Sequence, residues 1–304
     1  MTIFPLPSRQ RKMSVFVSVN LRLNHKMKNK YYRLSIFALI AIFAGLFIYQ
    51  TAIIKVISTI LDRQGSSHGV FVPFLSLYFL WLSRDKLKKN EPQFCYFGII
   101  FLLIGLFFPI TKTGTFHLQF IGYIIFLAGL VYVIYGKEFF KNIMFPLFFL
   151  ITMTPIPETP YNFLANFIRQ ISTGGSLKII SFLGIPYFRE GWLIQLPNAL
   201  LKVDLGCSGI RYLISYLVFG IAYAWIFRDT LKSGLIVVAL TIPISLFASI
   251  CRLAAIFILT YNFGPRMAEH WPHIIISWIV FFATLIACIA VDQYFRRRQY
   301  VKEA

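Results

Sequence analysis

Acidic residues are scarce in this chain. Of 304 residues only 11 are Asp or Glu, against 30 Lys or Arg, and the first acid is Asp62. Charged residues of both signs amount to 13%, about half the share of a soluble domain, while hydrophobic residues reach 58% and aromatics 18%. That shortage excludes an ordinary soluble domain, and no phosphate-binding loop, internal repeat or low-complexity tract accompanies it. Cysteine is sparse too: Cys95, Cys207, Cys251 and Cys288 lie far apart, in or beside apolar segments, with no C-x-x-C pair. Neither a disulfide framework nor a zinc site is expected, and no metal or cofactor is predicted. A net charge of +19 would point a soluble protein toward nucleic acid. Here the basic residues gather between apolar runs, as cytoplasmic loops do, so membrane lipids are expected partners and nucleic acid is not.

What is abundant is apolar length. Runs near 34–54, 69–82, 94–110, 117–135, 142–156, 208–227, 234–258 and 274–292 suit membrane spans. The expected fold class is all-α: a polytopic integral membrane helical bundle of about eight transmembrane helices with both termini cytoplasmic. Residues 1–33, with eight Lys or Arg and no acid, read as a basic cytoplasmic N-terminal arm, 34–292 as the transmembrane domain, and 293–304 as a basic cytoplasmic tail. The run 34–54 exceeds the core of a cleaved signal peptide and reads as a retained helix. In this topology 20 of the 30 Lys and Arg fall on inner segments, whereas an odd span count would put Arg296, Arg297 and Arg298 outside.

One extracytoplasmic segment, 157–206, is long. Pro155, Pro157 and Pro160 stand at its start, and Pro186 and Pro197 follow. Between them, 161–183 mixes Phe163, Leu164, Phe167, Ile168 and Ile171 with Asn166, Arg169, Gln170 and Ser172, which predicts an amphipathic helix on the membrane surface. Residues 190–203 alternate weakly and predict a short hairpin over the site that follows.

That site begins at 203–213, Val-Asp-Leu-Gly-Cys-Ser-Gly-Ile-Arg-Tyr-Leu. Cys207 is the candidate nucleophile. It is expected in the first turn of a membrane helix, where unpaired amides and the helix dipole favour a thiolate, with Arg211 one turn further on. Unreactive cysteines also occupy apolar helices as small hydrophobes, so position has to decide. From Cys207 to Arg228 is 21 residues, about 31 Å at ~1.5 Å per residue and roughly one hydrocarbon thickness. Arg252 lies 19 residues beyond Ser233 on the returning helix, about 28 Å, and so regains a similar level. A short outer loop, 261–272, then delivers His270 and His273.

Thiol, guanidinium and imidazole thus arrive at one depth. An imidazole can take the thiol proton and later protonate a leaving amine, while a guanidinium can stabilise the oxyanion of a tetrahedral intermediate. Each group also has a structural explanation. Arg252 can pair with Asp204 or snorkel to headgroups, and a histidine between Trp271 and Trp278 can be an interfacial residue. Arg211 can hold the thiolate, hold a substrate carboxylate, or anchor its helix end to headgroups, the last being favoured. His270 competes with His273, Pro272 being expected to prevent a continuous helix between them. Cys251, beside Arg252, is the rival thiol.

With these residues the chain resembles the exosortase/archaeosortase family of integral-membrane sorting proteases and transpeptidases, over about residues 66–288. The ordered pieces are Ser67-His68-Gly69 and Val72-Pro73 ahead of Leu80-Trp81, then Pro155-Ile156-Pro157, then Gly206-Cys207-Ser208-Gly209-Ile210-Arg211 as the nucleophile motif. Pro243 and Arg252 follow, and last His273 with Ser277, Trp278 and Phe281. The resemblance implies Cys207 as nucleophile, Arg252 as its arginine partner and His273 as the histidine, with Arg211, His270 and Ser249 as supporting candidates. It implies substrates that are secreted proteins ending in a short motif, a transmembrane helix and a basic cluster. Their tails would be cut at the outer face of the inner membrane and the new C-terminus passed to an acceptor, a lipid or polysaccharide, often alongside exopolysaccharide production. Two positions depart from the family pattern: Ser249 stands where the family commonly has Asn, and Ser277 where it usually has Gly. The alternative reading is a polytopic transporter or scaffold subunit of an envelope polysaccharide or lipid export complex, which would be marked by polar residues deep in several helices or repeated halves.

Overall fold

The computed structural model describes Ile36 and residues 39–62, 67–88, 93–111, 115–228 and 230–303. The basic arm expected at 1–33 lies outside them, as do the side chains of the tail from 294 onward. The chain forms two compact units, one of residues up to Val56 with Ser76–Ile151, the other of Ile57–Leu75 with Thr152–Ala304.

In the first unit, α1 (Leu39–Ile48) and α2 (Gln50–Asp62), which runs on past this unit, meet at a 69° bend where one retained helix was expected at 34–54. The bend has a tertiary cause. Tyr49 is 1% exposed, and its hydroxyl donates to the Gly105 carbonyl at 2.5 Å. After the bend the buried residues Ala52, Val56 and Ile60 repeat every fourth position, as one stripe of a half-covered helix does. Then come α3 (Val72–Leu82), which belongs to this unit from Ser76 on, α4 (Arg84–Lys88), α5 (Gly98–Thr111) and α6 (Phe116–Phe149). Helices α5 and α6 pack backbone to backbone through glycines seven residues apart on each: a Cβ on Gly129 would stand 2.6 Å from the Leu102 amide, and one on Gly105 would stand 2.8 Å from the Phe126 backbone. Small residues at such seams let membrane helices approach closely enough for dispersion to hold them. Helix α6 breaks at Gly136 (φ +78°, ψ −177°), freeing the Tyr135 and Val133 carbonyls to accept from the Gln93 and Cys95 amides.

The second unit is built on α9 (Leu231–Phe263), against which α7 (Glu158–Phe182), α8 (Ile210–Phe227) and α10 (His270–Glu303) pack. Thr230 caps α9, its hydroxyl accepting from the Ser233 amide, and Gly264 at φ +93° ends it. Helix α7 covers the amphipathic stretch expected at 161–183: Ile168, Leu177 and Ile180 are buried together with the small residues Ser172, Thr173 and Ser176, while Phe163 and Phe167 point outward. The small side chains let α7 lie close on α9, where a Cβ on Gly175 would meet Ile250. The hairpin expected at 190–203 is a three-stranded antiparallel meander, β1 (Phe188–Glu190), β2 (Leu193–Leu196) and β3 (Ala199–Lys202). Ile194 and Leu196 of β2 join Leu177, Ile180, Val203, Leu253 and Phe257 in one core. Asn198, in the β2–β3 turn, donates to the Thr260 and Tyr261 carbonyls at the end of α9.

The protein is mostly helical. Among the described residues four helices are long and apolar enough to cross a membrane, Phe116–Met153, Ile210–Phe227, Leu231–Phe263 and Trp271–Gln293, and the bent α1–α2 pair makes a fifth if it counts as one span. Of the eight runs expected, 69–82 and 94–110 fall on apolar helices of only 10–17 residues, and 117–135 with 142–156 fall on the single helix broken at Gly136.

Candidate active site

Leaving β3, the chain passes Asp204 and closes a 3₁₀ turn, Leu205–Cys207, in which the Cys207 amide donates to Asp204 O and the Ser208 amide to Leu205 O. Gly209 then takes φ +89°, ψ 0°, and α8 starts at Ile210. Cys207 therefore lies just ahead of α8 and not in its first turn. A left-handed residue, which side-chain-bearing amino acids rarely tolerate, separates turn from helix, and the turn's own carbonyls take amides that the helical reading left unpaired. A Cβ on Gly209 would run into the Ser249 hydroxyl of α9. Ser208 and Ser249 are both fully buried at this crossing, with Ser249 Oγ directed at Ser208 O, 3.4 Å away.

Depth left lateral distance open, and the fold brings Cys207, Arg252 and His273 together. Cys207 Sγ lies 3.6 Å from His273 Nε2. Arg252, 5% exposed, donates from Nη2 to the Cys207 carbonyl at 2.6 Å. Asp204 is exposed and pairs with Lys202 at 3.6 Å. Arg252 is thus neither snorkelling nor held by that acid. It is a buried cation fixed to the backbone of the candidate nucleophile, a costly placement in a membrane helix that makes it a candidate functional group. Arg211 is half-buried, with a guanidinium nitrogen 2.9 Å from where a Cβ of Gly206 would stand, and it couples electrostatically to Tyr161, Arg252 and Cys207. The two guanidinium groups give the site a positive field suited to a developing oxyanion or an anionic substrate group.

His273 is carried by α10. That helix runs unbroken from His270 through Pro272, contrary to the expectation that the proline would separate the two histidines. Pro272 falls in the first turn, where its missing N–H has no intrahelical acceptor and its fixed φ suits the helix. The His270 side chain lies outside the described ones. Cys251 is half-buried on α9, and all four cysteines are free thiols.

The sequence reading passed over Tyr212, which faces all of this. Its ring lies 5.1 Å from the Arg252 guanidinium carbon, and its hydroxyl donates to the Ser277 carbonyl at 2.6 Å. Ser277 Oγ in turn donates to the His273 carbonyl at 2.7 Å. The available signal was a stripe, Tyr212, Tyr216 and Tyr223, along one side of an otherwise apolar span.

A thiol at hydrogen-bond distance from an imidazole, with a buried guanidinium on the adjoining carbonyl, is the donor set that thiol acyl transfer needs. No curated protein and no solved structure matches the chain. The family of transmembrane exosortases is matched by residues 60–290, a stretch that contains Cys207, Arg252 and His273, and the chain belongs to that family.

Proposed function

We propose that the protein is a membrane cysteine peptidase/transpeptidase that removes the C-terminal sorting tails of secreted proteins at the outer face of the inner membrane. The observation that carries this reading is the 3.6 Å approach of Cys207 Sγ to His273 Nε2 beside the Arg252–Cys207 carbonyl bond. His273 with Nε2 unprotonated accepts the thiol proton, and Cys207 sulfur attacks the backbone carbonyl of the tail, forming a C–S bond. Arg252 and Arg211 stabilise the oxyanion. The tetrahedral intermediate collapses with cleavage of the C–N bond, His273 returns its proton to the leaving amine, and an acyl thioester remains. An acceptor nucleophile or water, deprotonated by His273, displaces the thiol and completes the cycle. The acceptor belongs to the lipid or polysaccharide of the envelope.

Cutting on the outer side fits eight crossings with both termini cytoplasmic. In that topology α1–α2, the two short apolar helices and the two halves of α6 each count as a crossing, and 157–206 faces outward. The test is co-expression of a tail-bearing substrate with wild type, Cys207→Ala, Arg252→Ala, His273→Ala and Cys251→Ala, followed by gel analysis of tail removal. Cys207→Ala, Arg252→Ala and His273→Ala are expected to abolish processing and Cys251→Ala to retain it. Full processing by Cys207→Ala overturns the proposal.

A further inference from the structure

Helices α8 and α10 are bridged less by backbone proximity than by tyrosines. Tyr212 of α8 donates to Ser277 O of α10, and one turn further on Tyr216 donates to Phe281 O at 2.9 Å and also bonds Thr284. Both rings pack with Phe281, Tyr212 stacked at 5.8 Å and 19°. At the far end of α8, Tyr223 donates to Asp292. These rungs matter to the site because of what the two helices carry. Cys207 precedes α8 and His273 opens α10, so the axial offset between the two helices sets the sulfur–nitrogen distance. Ser277 lies four residues beyond His273, about 6 Å along the helix. A hydroxyl anchored to its carbonyl therefore fixes the turn that holds the imidazole. The same ring, 8% exposed, lies against the Arg252 guanidinium within the range of a cation–π contact.

Resting on the cysteine reading above, we infer that Tyr212 is a positioning residue that holds His273 and Arg252 in register with Cys207, its hydroxyl acting through the Ser277 carbonyl and its ring through the guanidinium. Hydroxyl and ring separate by substitution: Tyr212→Phe keeps the ring and its packing and loses the hydroxyl's bonds to Ser277 O and to Arg252, whereas Tyr212→Leu loses the ring as well. A positioning role is expected to fall on turnover, because His273 and Arg252 act on the reacting atoms.

The experiment follows two readouts in the full chain in membranes. One is tail removal at several substrate levels for wild type, Tyr212→Phe, Tyr212→Leu, Tyr216→Phe and Cys207→Ala. The other is the rate of iodoacetamide alkylation at Cys207, read by peptide mass spectrometry over a pH series, which reports the thiol–imidazole pair without requiring turnover. Expected are a loss of about tenfold in kcat at unchanged KM for Tyr212→Phe and a larger loss for Tyr212→Leu, each with a displaced alkylation profile, and a smaller effect for Tyr216→Phe. An alkylation profile for Tyr212→Phe and Tyr212→Leu identical to wild type overturns the inference, whatever their processing. Processing by Cys207→Ala strikes instead at the cysteine reading and leaves the alkylation comparison to decide the positioning of Tyr212.

Discussion

Replacing Gly209 by alanine probes the interlock on which the site is hung. Two separate penalties meet there. The backbone at φ +89° is left-handed, which costs a residue bearing a Cβ about 1–2 kcal/mol. The added methyl would also overlap Ser249 Oγ and stand 2.6 Å from Ser249 Cβ, in a place where Ser208 and Ser249 are fully buried and cannot yield into solvent. Overpacking of this kind costs a further ~1–3 kcal/mol, so Gly209→Ala is expected to lose about 2–5 kcal/mol of stability, at the upper end of single substitutions. The components separate in a double-mutant cycle. Ser249→Ala leaves the Cβ contact in place and should relieve only part of the clash. Ser249→Gly clears the space, at a cost of about 1 kcal/mol for glycine inside a helix, and against that background Gly209→Ala should cost only the backbone component. Thermal unfolding in detergent gives the free energies, and Cys207 alkylation reports whether the turn that carries Cys207 has moved. Equal cost in the wild-type and Ser249→Gly backgrounds, or no cost in either, would refute the steric argument.

Three further outcomes are expected. Asp292→Ala strips the carboxylate that Arg228 and Tyr223 share at the far end of α8; both partners of the pair are only 17–20% exposed, so a loss of about 1–3 kcal/mol should appear as a lower Tm, with Arg228→Gln in the same chain recovering part of it. Gly129→Leu forces α5 and α6 apart where backbone meets backbone, and destabilisation of more than ~2 kcal/mol, or loss of folded protein by size-exclusion chromatography, is expected. Trp192→Ala removes the face on which the Arg169 guanidinium carbon sits at 3.7 Å; a loss of only ~1 kcal/mol, with faster proteolysis of the 188–202 meander, should result, because Arg169 also donates to Val203 O and Asn166.

How much of this was legible beforehand varies by element. The runs 208–227 and 274–292 became Ile210–Phe227 and Trp271–Gln293 because long apolar segments have one way to satisfy their amides in lipid, and helix rise carries Arg252 back to the level of Cys207 whatever the partners do. Helix α7 was legible as a helix, but composition does not say that Ser172, Thr173 and Ser176 join Ile168, Leu177 and Ile180 on its buried side, which follows from a close helix crossing that only small side chains allow. The bend at Tyr49 and the left-handed Gly209 depend on residues 56 and 40 positions away, Gly105 and Ser249, and no local pattern encodes them.

The sequence by itself determined the helical, membrane-spanning character, the family and the axial level of thiol, guanidinium and imidazole, because hydropathy and helix rise are local and additive along the chain, whereas the number of helices long enough to cross is four or five among the described residues and not the eight expected. Only the tertiary structure decided that Cys207 sits in a turn ahead of its helix, that Arg252 holds the carbonyl of Cys207, and that Tyr212 stands between Arg252 and the helix of His273. Those are lateral relations among α8, α9 and α10, and they follow from which side chains fill the space between helices, where a hydrogen bond to a carbonyl on another helix outweighs any preference a residue carries on its own.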